Sequence, residues 1–148
     1  MHTRRLAQLV ARRREVLVHL RTLGMRQLDL VAGDDWSQLT KVLSTKQRLL
    51  DMLSDLEREL APFRNEPPEF RVWASDAARE ACRRHADDCA ALLAEVMQLE
   101  REGERAMIRR RDETARLLSG MHVTAAAHSA YVADDRPASL GLDLVSEG

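Results

Sequence analysis

The stretch "LVAGDDWSQLTKVLSTKQRLLDMLSDLEREL", Leu30–Leu60, decides the fold. It opens on a small, acidic break, Ala32-Gly33-Asp34-Asp35, and then places apolar residues at steps of three and four: Leu39, Val42, Leu49, Leu53, Leu56 and Leu60, continuing to Phe63. Lys46 is the one polar member of the series. That alternation is the heptad pattern of a helix packing along one face. Gly33 suits a left-handed helix end. Asp35 suits the next N-cap, and Gln38 three residues on completes a capping-box pattern. Before the break, Leu6, Leu9, Val16, Leu20, Leu23 and Leu30 keep the same rhythm, widened by Val10, Leu17 and Val31 and interrupted by Arg13 and Gln27. Two helices are predicted, about 4–31 and 36–61, each ~40 Å long at ~1.5 Å per residue. Their short connection forces them antiparallel.

Downstream, "LAPFRNEPPEFRVW" (Leu60–Trp73) carries Pro62, Pro67 and Pro68, which a helix interior excludes. Pro67 or Pro68 suits a first helical turn, so a third helix is predicted over 68–119, with Ser75-Asp76 as a second plausible start. Its seam reads Ala78, Cys82, His85, Cys89, Leu92, Val96, Leu99, Gly103 and Ala106. Phe63, Phe70 and Trp73 are expected to cluster at the proline end, and Trp36 at the other. Residues 120–131 either continue this helix or form a separate segment. Residues 132–148, with Asp134-Asp135, Pro137 and terminal glycines, read as a flexible tail beyond a single helical domain, 1–131. The expected fold is all-α: an antiparallel hairpin plus a long third helix, as a three-helix bundle or coiled coil.

Composition agrees. Aromatics are only 3% and charged residues 32%, with Ala, Leu, Glu and Arg dominant, the profile of long helices. A net charge of −1 argues against a chain that binds polyanions as a whole. The sign is uneven, since Met1–Leu30 holds seven Arg against Glu15 and Asp29. The runs Arg12-Arg13-Arg14 and Arg109-Arg110-Arg111 lack neighbouring aromatics for base stacking, and acidic residues follow both. No nucleic-acid partner is expected. No apolar run approaches the ~18 residues of a membrane span. The basic start lacks the apolar core of a secretory signal. Two cysteines too far apart on one helix to bridge each other fit a reducing cytoplasm.

Cys82, His85 and Cys89 fall on one helix face and raise the question of a metal. A structural zinc site closes a tetrahedron with four ligands, and His2, His19, His122 and His128 form no matching pair. Seam packing is the simpler reading, and neither metal nor cofactor is expected. Phosphate-loop, H-E-x-x-H and G-x-S-x-G patterns are missing, as is the E-x-x-H of helical-bundle metalloenzymes. Glu100, Glu102 and Glu104 alternate with Arg101 and Arg105 in a solvated run. An enzyme is not expected.

The third helix outlasts its partners. Met107, Ile108, Leu117, Leu118, Met121 and Val123 have nothing to pack against in a simple three-helix monomer. The segment can fold back at Gly103 or Gly120 as a fourth helix, pair with its copy in a homodimer, or await a different protein. Glycine within a helix costs ~1 kcal/mol against Ala, which eases bending there.

Leu30–Leu60 resembles the central region of flagellar type III export chaperones, first the FlgN-type chaperone of hook-associated proteins and next the FliT-type chaperone of the filament cap. The resemblance is carried by the turn Ala32-Gly33-Asp34-Asp35, by Trp36 and Leu39, and by Lys46-Gln47 followed by Leu49-Leu50. The small-residue tract Ala125–Tyr131 resembles the end of those chaperones' last helix. The triplet Cys82-His85-Cys89, the double proline and the tail "SLGLDLVSEG" depart from the pattern. The resemblance implies a non-enzymatic cytoplasmic chaperone that binds a helical segment of a hook-associated-like client and prevents premature assembly. It puts the client surface around Leu117, Leu118, Met121 and Val123. The alternative is a structural coiled-coil or dimerisation module with no export role.

Overall fold

The computed structural model describes residues 2–147, with side chains as far as residue 133. From residue 134 on, the expected tail lies outside the residues whose side chains are described. The chain is all-α, with α1 (His2–Val31), α2 (Trp36–Arg64), a short 3-10 turn (Pro68–Phe70) and α3 (Asp76–Glu147). It divides into two units, Met1–Met107 and Ile108–Gly148.

Met1–Met107 is a three-helix bundle with up-down-up topology. Its register can be read from cross-helix pairs. Arg14 meets Asp88 at 2.9 Å and Arg21 meets Glu95 at 3.2 Å, so a step of one heptad on α1 matches one on α3 and the two run parallel. Arg5 meets Glu59 at 2.7 Å near the other end of α2, which runs antiparallel to both. The core is the expected seam. Leu6, Leu9, Val16, Leu17 and Leu20 pack with Leu49, Leu60 and Phe63 and with Cys82, Cys89, Leu92 and Val96. Each buried Leu or Val contributes roughly 1.5–3 kcal/mol by leaving water.

The turn between α1 and α2 forms without a left-handed residue, contrary to the expectation for Gly33: no described residue has a positive φ. The Gly33 N–H donates back to the Leu30 carbonyl at 3.2 Å, closing the last turn of α1. Asp35 caps α2 as expected, accepting from the Gln38 N–H at 3.1 Å. The reciprocal half of the capping box is replaced, because the Gln38 Oε1 accepts from Arg26 at 3.3 Å.

Three boundaries differ from the sequence reading. α2 continues to Arg64 and carries Pro62 within it. In that last turn a missing N–H removes only one bond of a helix about to end. α3 starts at Asp76 rather than 68, because Ser75 Oγ accepts from the Ala78 N–H at 3.0 Å and caps it, while the double proline makes only the 3-10 turn. α3 then runs through Gly103 and Gly120 without a fold-back, so no fourth helix forms among the described residues. The proline-end aromatics also divide. Phe63 is buried and Trp73 packs against the core, but Phe70 is 78% exposed.

Two polar ties replace apolar contacts at the interruptions in the heptads. Arg13 and Arg64 both bind Glu57. Burial pushes the Glu57 carboxyl up, but hydrogen bonds from Arg64 and Arg13 outweigh it and hold it below the ordinary carboxylate range. Farther along, buried Lys46 donates to Gln27 Oε1 at 2.5 Å and pairs with Glu100. Gln27 Nε2 donates in turn to Met107 Sδ at 3.3 Å. Gly103 lies against this layer: a Cβ there would sit 2.9 Å from Gln27 Nε2, so the end of the Gln27 side chain would have to shift.

Candidate functional site: an exposed apolar helix face

The three-and-four spacing of the α3 seam continues in the sequence past Met107. Counting on from Cys82 by threes and fours gives His85, Cys89, Leu92, Val96, Leu99, Gly103, Met107, Arg110, Thr114, Leu117, Met121, Ala125, His128 and Val132. At ~100° per residue all of these fall on one side of the helix. Within Met1–Met107 that side is covered. Arg110 and Thr114 then interrupt it with polar side chains, and apolar residues resume at Leu117. From there they are open to solvent: Leu117 is 66%, Leu118 53% and Met121 66% exposed. Tyr131 and Val132 are exposed as well.

The residues expected to bind a partner separate into three groups. Leu117, Leu118 and Met121 share the seam side and form one surface. Met107 belongs to the bundle, where it is partly buried and accepts from Gln27. Ile108 and Val123 are exposed but point away from the Leu117–Met121 side, Val123 on nearly the opposite face. Sequence periodicity offered a signal for Val132 and Ala125, the next seam positions after Met121, which exposure alone does not separate from their neighbours.

Cys82 and Cys89 are both free and buried, Cys89 with 0% exposure. Cys89 Sγ donates to the Val10 carbonyl at 3.7 Å. Burial pushes both thiols above their ordinary range; Arg71 beside Cys82 and Arg13 beside Cys89 offset that only in part. Both thiols belong to the apolar core cluster, alongside Val10, Leu92 and Val96. Among the described residues no three His, Cys, Asp or Glu side chains gather as a metal would require.

The basic first helix is largely neutralised within the fold. Arg5, Arg13, Arg14 and Arg21 each meet a carboxylate of α2 or α3. No helix among the described residues is long and apolar enough to cross a membrane. No family model matches the chain, and comparison with curated proteins and with solved structures finds no match.

Proposed function

We propose that the chain is a non-enzymatic protein-binding module that captures a helical segment of a client along the Leu117–Val132 side of α3. The observation that carries this is the exposure of Leu117, Leu118 and Met121, which share one face of α3 at helical spacing. An amphipathic client helix laid along such a side buries apolar anchors at three- and four-residue spacing. Met121 adds a flexible, polarizable contact that adapts to its partner.

The resemblance of Leu30–Leu60 to flagellar export chaperones specifies the client: a helical terminal segment of a hook-associated-like protein, held in the cytoplasm before export. The test is co-purification of the chain with the hook-associated proteins of its own genome, compared with a Leu118→Asp/Met121→Asp variant. Capture by the native chain and loss in the variant supports the reading. Equal capture by both removes the face from the mechanism, and no capture by either removes the chaperone role. The three-four spacing of the apolar residues from Leu117 on also suits pairing of two copies of α3. A dimer in light scattering that the same variant dissociates, without any client, favours the dimerisation module instead.

A further inference from the structure

A different feature lies wholly within Met1–Met107. Between α1, the end of α2, the proline turn and the start of α3 opens a cleft of about 460 Å³. That lies within the ~300–1,000 Å³ usual for small-ligand sites. Val10, Leu60, Phe63 and Trp73 make apolar walls. Arg13, Arg64, Arg71, Arg79 and Arg83 surround them, and no carboxylate lines the cleft.

The five cations are unequally matched. Arg13 and Arg64 share Glu57, and Arg83 approaches Glu80 at 3.9 Å. Among the described residues Arg71 and Arg79 have no carboxylate within ion-pair distance. Arg71 donates one Nη2–H to the Phe63 carbonyl at 2.6 Å, while its Nε–H is buried with no acceptor among the described residues. Buried donors in folded proteins are ordinarily matched. A guanidinium offers a carboxylate two parallel hydrogen bonds, and that pairing strengthens beside apolar walls that exclude water.

We propose that this cleft binds a small amphipathic anion: a single acyl or aryl chain ending in a carboxylate. The chain lies against Leu60, Phe63 and Trp73, and the carboxylate meets Arg71 and Arg79. A partner helix is too large for it, being ~10–12 Å across with its side chains, against a space of about 460 Å³ whose cube root is ~8 Å. A simple inorganic anion would leave the apolar walls unused.

Trp73 provides the readout. The chain has two tryptophans, so Trp36→Phe leaves Trp73 as the single tryptophan reporter. Decanoate below its micelle-forming concentration is titrated into the full chain, with decanol and acetate in parallel. The expected result is a saturable change in Trp73 emission with decanoate, at least tenfold tighter than with decanol and absent with acetate. Arg71→Ala/Arg79→Ala is expected to weaken decanoate at least tenfold and leave decanol unchanged. Because Arg71 also holds the Phe63 carbonyl, the exposed Arg79→Glu carries the same test if the double variant fails to fold. No saturation by decanoate, equal binding of decanol, or indifference to Arg79→Glu overturns the proposal. Tighter binding of a short peptide ending in Leu-Glu also overturns it and assigns the cleft to a protein chain end.

Discussion

At the scale of single residues, the polar interruptions of the heptads explain more than the apolar positions do. Glu57 is held between two arginines that lie 51 positions apart in sequence but meet one carboxylate. Its folded-state pKa is depressed, so its contribution to stability is present above the unfolded value of about 4.3 and is lost as pH falls through the lower folded value. Glu57→Gln is therefore expected to be less stable than the native chain near neutrality, with the gap closing below about pH 4. Denaturant midpoints measured against pH check this; a constant gap would mean that Glu57 acts by packing alone. The two thiols behave oppositely. Burial raises their pKa, so their contribution is present below the unfolded thiol value, about 8.5, and is lost as pH rises past it. Neither Cys82 nor Cys89 is expected to react with an aromatic disulfide reagent in the native chain at pH ~8, while both react in denaturant. Rapid native labelling of either would remove it from the core.

At the scale of the helix, three glycines that look alike in sequence do different work. Each costs ~1 kcal/mol against alanine within a helix. A Cβ at Gly24 would lie 3.1 Å from the Leu99 Cβ, and one at Gly103 would press on Gln27, whereas one at Gly120 would meet nothing within 4 Å. The contact at Gly24 is between atoms fixed to two backbones, so α1 and α3 would have to separate. Gly24→Ala is expected to destabilise by about 1–3 kcal/mol despite its better helix propensity, as overpacking does. Gly120→Ala is expected to raise helical circular dichroism without loss of the unfolding midpoint. Stabilisation by Gly24→Ala would contradict the close approach. This contrast marks how far the sequence could be read. Apolar rhythm and the Asp35 cap are local, and they gave two helices, most of the seam and the antiparallel hairpin. Which polar residue stands opposite which is not local: Gln27 meets Lys46 from the neighbouring helix and presses on Gly103 from the third. Gly103 therefore looked like a hinge when it is a contact. Phe70 and Phe63 carry the same side chain near the same turn, and only the path of the chain decides that one is buried and the other open. The arginines around the cleft come from three helices and a loop, with no shared period to announce them.

At the scale of the whole molecule, burial and exposure are divided along the chain. Every buried residue, from Thr3 to Gly103, precedes Ile108, and among residues 108–133 none is buried. The ion pairs that tie α1, α2 and α3 to one another likewise lie before that point. Such pairs contribute only ~0–1 kcal/mol each at the surface, so the apolar core and the buried Lys46–Gln27 tie hold most of the stability. A chain ending at Met107 keeps all of them. It is expected to unfold cooperatively, with a free energy within roughly 0.5 kcal/mol of the full chain, the range of changes that touch no buried contact. It is also expected to lose client capture altogether, since Leu117, Leu118 and Met121 are gone. Stability and binding thus separate in one experiment: denaturation and co-purification of the two chains side by side. If the short chain unfolds much earlier, residues beyond Met107 help to hold the bundle, and their apolar side chains are a structural seam rather than a surface kept open for a partner. If it stays folded and still captures the client, the recognition surface must be sought on the bundle itself.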